Sequence, residues 1–229
     1  MISGFATSEG TKKFLKNSGI NSLNFKQIYN LTLSNVGVGT YLGDANEKTD
    51  ELVKNAVKQS ILSGINVIDT AINYRAQKAE RSVGKAISEL INEGKISREQ
   101  IFISTKNGYI TNDADVKQEF WEYIKNEFTQ KGVIKEGDVT SGYHCMTVAY
   151  LDDQLERSLK NLGLDCIDLM YLHNAVEGQI KDISKEKFLE NLKSVFELYE
   201  QKRREGKIKF YGMATWECFR VSPDKAVPP

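Results

Sequence analysis

Hydrophobic and polar residues alternate along the chain in a way that predicts strands and helices in turn. Short apolar runs bounded by glycine or charged residues are typical of buried strands, and apolar residues at a 3.6-residue period indicate helices. Five runs are predicted strands, at residues 31–38, 65–69, 101–106, 166–173 and 208–215. The helical period predicts helices over residues 47–63, 80–93, 150–162 and 185–205. This alternation predicts an α/β protein with a parallel sheet and right-handed crossovers.

The helix predicted over residues 47–63 has one apolar face, which we expect to lie against the sheet. This face consists of Leu52, Val53, Ala56, Val57 and Ile61. Gly64 follows at once and is a helix stop.

Residues 107–149 interrupt the alternation after the third predicted strand. They contain a charged stretch with a helical pattern of their own and then a loop, so we interpret them as an insertion. Long loops beside a catalytic face often form lids or substrate walls. Trp121, Tyr143 and His144 are therefore candidates for substrate contact, and a surface helix without function is the alternative.

Composition narrows the function classes. Lys plus Arg equals Asp plus Glu at 31 each, so no global field attracts nucleic acid. The apolar runs are shorter than the roughly 20 residues that span a membrane, and the start does not resemble a secretory signal. The chain has 3 cysteines at wide spacing, which favours a reducing, cytoplasmic location over a disulfide framework. His144-Cys145 has no second ligand pair at a zinc-like spacing, so we predict no metal site.

Four residues that can carry chemistry lie at or just past the ends of predicted strands. They are Asp69, Tyr74, Lys106 and His173. In a parallel α/β barrel the carboxyl ends of all strands meet at one face, where the active site lies. A lysine close to a tyrosine lowers the pKa of the phenol and makes it a better general acid. Each residue alone is also compatible with a structural role in capping, packing or solvation.

Several motifs resemble the aldo/keto reductase family. Residues 64–74 give its glycine, short apolar strand, Asp-Thr-Ala and a tyrosine five residues past the aspartate, and residues 80–84 give Glu-x-x-apolar-Gly. Residues 101–106, 152–173 and 206–213 resemble its next strand with lysine, its helix and strand ending in histidine, and its fifth strand. The resemblance covers roughly residues 31–217.

The resemblance implies a (β/α)8 barrel of the TIM type that binds NADP(H), with NAD(H) as the alternative, and reduces aldehydes or ketones. Tyr74 would protonate the carbonyl oxygen, Lys106 would lower the Tyr74 pKa, Asp69 would pair with Lys106, and His173 would orient the substrate.

The resemblance also implies which residues contact the cofactor. Gly39, Thr40 and Tyr41 would lie against the nicotinamide half, and Asp69 would belong to the same site. Thr215 stands near the position of the family's Ser-Asn pair, which holds the carboxamide, so it would bind less completely.

Five predicted strands are fewer than the eight of a closed barrel. We therefore expect residues 1–229 to form a single reductase-like domain that is C-terminally incomplete, and an open sheet is the alternative. The family's last three strands hold most of the cofactor, so the chain alone would bind NADPH weakly. Unpaired sheet edges would invite a homo-oligomer or another partner.

Three other functions stay open. Gly37-x-Gly39 after a strand is typical of a Rossmann dinucleotide site, although position 42 is leucine where the third glycine belongs. Lys106 could form a Schiff base in another barrel enzyme. A non-enzymatic interaction protein could also keep a reductase scaffold, although such a protein has no need of the four polar residues.

Overall fold

The computed structural model describes residues 1–222. The sequence from Ser222 to Pro229 predicts an irregular tail, and almost all of it lies outside the described residues. The strands are β1 (Phe25–Ile28), β2 (Leu31–Ser34), β3 (Val38–Gly39), β4 (Val67–Asp69), β5 (Phe102–Asn107), β6 (Ile167–His173) and β7 (Ile208–Ala214). The helices are α1 (Ser8–Ser18), α2 (Glu47–Leu62), α3 (Lys78–Asn92), α4 (Phe120–Ile124), α5 (Val148–Leu162), α6 (Ala175–Gln179) and α7 (Lys185–Arg204).

The strands β3 to β7 form one parallel sheet in which the order in space is the order in sequence. This is the strand order of a (β/α)8 barrel, of which the described residues form five strands. A Rossmann sheet reverses its strand order in the middle, so the structure excludes that alternative. The edge strands of this sheet are β3 and β7.

The first predicted strand, residues 31–38, is wrong in extent. Its first half is β2, which pairs antiparallel with β1 in a hairpin, and only Val38–Gly39 joins the parallel sheet. Tyr29 and Asn30 connect the hairpin with φ of 48° and 66°, as a two-residue turn of positive φ requires. The hairpin covers the amino end of the sheet, where Leu31 and Leu33 cluster with Phe102.

The four long predicted helices are confirmed as α2, α3, α5 and α7 within two residues at each end. Helix α1 was not predicted, although its signals are present in the sequence. The Thr7 hydroxyl accepts a hydrogen bond from Gly10 N at 3.0 Å as N-cap, and Gly19 ends the helix with φ 68°. Phe14 anchors α1 in the main core.

The predicted apolar face of α2 is only partly buried. Val57 and Ile61 lie in the core, whereas Leu52 is 61% exposed and Ala56 is also exposed. The reason is the position of α2 beside the edge strand β3: it packs against α3 on one side, and its other side faces solvent within residues 1–222.

Helices α3 and α5 pack closely on the outside of the sheet because Gly84 has no side chain. A Cβ at this position would lie 2.6 Å from the carbonyl oxygen of Leu162, which no real contact allows. Beside it, the buried carboxylate of Glu80 accepts hydrogen bonds from Thr105 Oγ1 at 2.7 Å and Asn161 Nδ2 at 2.9 Å. The Glu-x-x-apolar-Gly motif thus fastens α3 to β5 and α5.

The segment after β5 has the helical pattern that the sequence predicts. Helix α4 continues directly into a π-helical turn, Lys125–Thr129. Ile124 and Phe128 are buried and Phe120 is partly buried. The Phe128 ring packs edge-on against Tyr150 of α5, so this segment is attached to the body of the protein. No helix within residues 1–222 is long and apolar enough to cross a membrane.

Candidate active site

The four predicted catalytic residues come together at the carboxyl end of the sheet. Asp69 and His173 end β4 and β6, Lys106 is the penultimate residue of β5, and Tyr74 lies in the loop after β4. Lys106 Nζ is 2.6 Å from Asp69 Oδ2 and 3.3 Å from the Tyr74 hydroxyl oxygen. The rings of Tyr74 and His173 meet edge to face with 5.8 Å between their centroids.

The ammonium of Lys106 is held on three sides. Besides Asp69 and Tyr74, it donates a hydrogen bond to the carbonyl oxygen of Thr70 at 2.7 Å. Asp69 is fixed in turn, because its Oδ1 accepts a hydrogen bond from Ser104 Oγ at 2.7 Å. Lysine has three donor hydrogens, so all of them have partners and the charge is fixed in place.

The pKa of Tyr74 differs from the expectation. Burial, and then the negative charge of Asp69, raise the Tyr74 pKa from 10.0 to about 12. Burial also lowers the pKa of Lys106 below 10.5, although Asp69 opposes this. Lys106 therefore has the lower pKa of the two groups. The prediction that Lys106 lowers the Tyr74 pKa below its ordinary value is wrong, and the phenol stays protonated at neutral pH.

His173 is a neutral imidazole. Burial, followed by the charge of Lys106, lowers its pKa to about 3. Its Nδ1 is buried without a hydrogen-bond partner among residues 1–222. The ring therefore cannot act as a cationic acid at neutral pH, but it can donate or accept one directed hydrogen bond.

His144 does not face the site as expected for a substrate contact. It is fully buried behind His173, and its Nε2 donates to the His173 carbonyl oxygen at 2.8 Å. Its Nδ1 accepts a hydrogen bond from Gln179 Nε2 at 3.0 Å, and burial lowers its pKa to about 4. His144 is a structural anchor between the segment after β5 and the end of β6.

Tyr109 also lies in this site, and the sequence did not lead us to predict it. Its ring meets His173 edge to face at 5.0 Å, and its hydroxyl accepts a hydrogen bond from Asn174 Nδ2 at 3.3 Å. The sequence signal that could have identified Tyr109 is its position, three residues after Lys106 at the end of a predicted strand. Nearby, the predicted candidates Trp121 and Tyr143 are partly exposed and stack with their centroids 5.7 Å apart.

Three predicted cofactor residues lie at the end of β3 or directly after it, and they differ in exposure and contacts. Gly39 borders open space, because a Cβ there would meet nothing within 4 Å. Tyr41 is 66% exposed, and its ring lies 5.0 Å from that of Tyr74. Thr40 is buried and its hydroxyl donates to Thr70 Oγ1 at 2.8 Å, so it supports the loop and has no free donor. Gly39 and Tyr41 are therefore accessible beside Tyr74, and their contact with nicotinamide stays a prediction.

Thr215, the remaining predicted cofactor residue, is engaged elsewhere. Its hydroxyl donates to Glu177 Oε1, which also accepts hydrogen bonds from the backbone amides of Trp216 and Glu217 at 2.9 Å each. The pKa of Glu177 stays below 4.5 because these hydrogen bonds outweigh its burial. Thr215 is therefore not free to bind a carboxamide in this conformation.

Within residues 1–222 no group of three or more His, Cys, Asp or Glu side chains is close enough together to hold a metal ion. Cys145, Cys166 and Cys218 are all free thiols.

Comparison with known proteins identifies the family of this chain. The profile of the aldo/keto reductase family matches residues 35–222, so the chain belongs to the aldo/keto reductase family. The uncharacterized oxidoreductase YtbE of Bacillus subtilis (strain 168) is 33% identical over 175 residues, which are 76% of this chain and 45% of YtbE.

Solved structures share the fold. The aldo-keto reductase AKR11C1 from Bacillus halodurans (holo form) matches with a TM-score of 0.55 and 26% identity, over 84% of this chain and 50% of that one. Bombyx mori AKR2E4, in complex with NADP, matches with a TM-score of 0.50 and 22% identity, over 86% of this chain and 52% of that one. The chain thus spans about half the length of the relatives it matches.

Proposed function

We propose that this chain carries the proton-donating side of an NAD(P)H-dependent oxidoreductase that reduces aldehydes and ketones to alcohols. The observation that carries the proposal is the Lys106 ammonium, held 2.6 Å from Asp69 and 3.3 Å from the Tyr74 hydroxyl. A surface ion pair needs no tyrosine beside it, and a Schiff-base lysine would need to be free of such a pair. Family membership supports the same chemistry.

The reduction needs a hydride on the carbonyl carbon and a proton on its oxygen. Reduced nicotinamide, when bound, supplies the hydride. The Tyr74 hydroxyl gives its proton to the carbonyl oxygen and becomes a phenolate. Lys106, whose pKa is lowered by burial, then passes a proton to the phenolate, because its pKa is the lower of the two. Asp69 and the Thr70 carbonyl oxygen hold Lys106 within reach.

His173 orients the substrate in this proposal. Because its pKa of about 3 keeps the ring neutral, it can point one hydrogen bond at the carbonyl oxygen without adding charge. The rings of Tyr74 and His173 bound the same space.

The cofactor is NADP(H), with NAD(H) as the alternative. Gly39 and Tyr41 would border the nicotinamide, and Asp69 would stay engaged with Lys106. Thr40 would hold the loop through Thr70, and Thr215 would have to leave Glu177 to reach a carboxamide. The NADP complex of AKR2E4, a protein of the same fold, supports NADP(H) as the first choice.

We further propose that residues 1–229 form one reductase-like unit with residues 107–149 as an insertion. In the working protein the edges β3 and β7 would be covered by further strands or by a partner, since exposed edges are templates for pairing. The same exposed edges favour a second candidate function, in which a non-enzymatic protein keeps the reductase fold and binds a partner. A stable monomer in size-exclusion chromatography would count against that function.

The direct test is to mix the chain with excess NADPH and an aromatic aldehyde, then follow NADPH absorbance and alcohol formation by chromatography. We expect one alcohol for each NADPH consumed, and no consumption without aldehyde. Full cofactor occupancy without any alcohol would overturn the proposal.

A further inference from the structure

The backbone directly after Tyr74 has an unfavourable conformation. Arg75, Ala76 and Gln77 have φ of 51°, 50° and 74°, three consecutive non-glycine residues in the left-handed region. A Cβ makes this region unfavourable, so a run of three persists only where its surroundings impose it. This run occupies the stretch between Tyr74 and Glu80.

One carboxylate from α2 bridges both ends of this turn. Asp50 Oδ1 lies 2.7 Å from Arg75 Nη1, and Asp50 Oδ2 lies 2.8 Å from Lys78 Nζ. The Arg75 side chain is 1% exposed, and its Nη2 donates to Ser82 Oγ at 3.0 Å. A buried guanidinium needs a partner, and the carboxylate of Asp50 supplies one where solvent cannot.

The segment after β5 closes the turn from the opposite side. Ala76 O accepts a hydrogen bond from Ala114 N at 3.2 Å, and Gln77 Nε2 donates to Asn112 O at 3.1 Å. The turn is therefore held by ion pairs to α2 on one side and by hydrogen bonds to this segment on the other.

The shape of the turn sets the position of Tyr74. Gln77 N donates to Ile72 O at 3.0 Å, and Ala79 N donates to Tyr74 O at 3.4 Å. These two hydrogen bonds fix the carbonyl groups on either side of Asn73. A change in the left-handed run would therefore move the phenol relative to Lys106.

We propose that Asp50 is a positioning residue for Tyr74: by bridging Arg75 and Lys78 it holds the left-handed turn that places the phenol beside Lys106. Asp50 itself touches neither Lys106 nor Tyr74 through any hydrogen bond or ion pair of the described residues. The catalytic consequence rests on the proposed function, whereas the structural consequence does not.

The structural arm uses Asp50→Asn, which keeps the size of the side chain and removes its charge. Hydrogen exchange, followed by NMR, reports on the amides of Gln77 and Ala79. We expect both to exchange at least about 10-fold faster in the variant, while amides in the middle of α3 keep their wild-type rates. Glu51→Gln is the matched control, since it removes a neighbouring surface carboxylate and should change neither amide.

Rescue separates positioning from general stability. Glycine adopts positive φ without the Cβ penalty, so Ala76→Gly relieves the turn that Asp50 must otherwise hold. In the double variant with Asp50→Asn we expect exchange at Gln77 and Ala79 to return at least halfway to wild type. A double variant that exchanges as fast as Asp50→Asn alone, or Asp50→Asn with wild-type exchange, would overturn the proposal.

The catalytic arm measures kcat and the KM for NADPH. Misplacing a catalytic group by a fraction of an ångström lowers kcat, so we expect Asp50→Asn to lose about 10-fold in kcat with KM within about twofold. Ala76→Gly should recover part of kcat in the double variant. If exchange changes as expected but wild type reduces no aldehyde, the positioning role stands and the proposed function fails. If Asp50→Asn does not fold, Lys78→Met removes the second arm of the bridge together with the ion pair between Lys78 and Asp115. Asp115→Asn, which leaves the Asp50 bridge intact, is then the control, and exchange as fast in Asp115→Asn as in Lys78→Met would overturn the proposal.

Discussion

Lys106 Nζ is 2.6 Å from Asp69 Oδ2 but 3.3 Å from the hydroxyl oxygen of Tyr74. The ammonium is therefore neutralised mainly by the carboxylate, and the phenol is its secondary partner. Such an arrangement keeps the lysine charged in a buried place without forcing the tyrosine to ionise. In this site the phenol is a protonated donor at rest, and the ammonium acts on the phenolate only after the proton has left.

The first prediction concerns Asp69→Asn. The charge of Asp69 raises the pKa values of both Lys106 and Tyr74, so its removal should lower both. Ultraviolet difference titration of Asp69→Asn against Asp69→Asn/Tyr74→Phe isolates the phenol. We expect Tyr74 to ionise below its wild-type pKa of about 12.

The same variant should change the pH dependence of catalysis. Because Lys106 must be charged to return a proton, activity should fall as pH rises through its pKa, and Asp69→Asn should move this fall to lower pH. Ser104→Ala keeps the carboxylate charge and serves as the control. An alkaline limb that does not move would contradict the assignment of the limb to Lys106.

The second prediction is weak cofactor binding by residues 1–229 alone. Thr215 is engaged by Glu177, and of the three residues proposed along the nicotinamide only Gly39 and Tyr41 are accessible. Titration of NADPH fluorescence should give a Kd well above about 1 μM. A Kd at or below that value would show that residues 1–229 bind far more of the cofactor than we infer.

The third prediction concerns stability. Asp168 is buried and accepts hydrogen bonds from Arg98 Nη2 at 2.6 Å, Ala6 N at 2.6 Å and Ile103 N at 2.8 Å. It ties the N-terminal segment to β5 and β6, and Asp168→Asn leaves the Arg98 guanidinium buried without a counter-charge. We expect a loss of about 3–5 kcal/mol in the free energy of unfolding, measured by urea denaturation.

The control for this prediction is Glu197→Gln, which breaks an exposed ion pair with Lys193 and should leave the unfolding midpoint unchanged. Equal effects of the two substitutions would show that Asp168 is no more important than a surface charge.

Much of the fold followed from local patterns. The four long helices α2, α3, α5 and α7 were predictable because each has an apolar face at the helical period. The meeting of the four strand-end residues was predictable because parallel strands share one carboxyl edge. The hairpin was missed because Tyr29-Asn30 has no glycine to mark a turn of positive φ. The exposure of Leu52 was missed because it depends on which neighbours α2 has in space.

The proximity of the four strand-end residues was predictable, but their electrostatics were not. Burial of Tyr74 and Lys106 is a tertiary property, and it reverses the expected direction of the Tyr74 pKa shift. The engagement of Thr215 by Glu177 joins two segments that are far apart in sequence. The burial of His144 behind His173 was likewise invisible in a sequence that shows only a histidine in a loop.

The most direct test of the central claim is the rate of aldehyde reduction by Tyr74→Phe at saturating NADPH. The substitution removes only the hydroxyl group that carries the proposed proton, and Tyr29→Phe on the exposed hairpin turn is the matched control. The account predicts a fall in kcat of at least about 100-fold for Tyr74→Phe, as loss of a general acid requires, and no change for Tyr29→Phe. Reduction by Tyr74→Phe at the wild-type rate would contradict it.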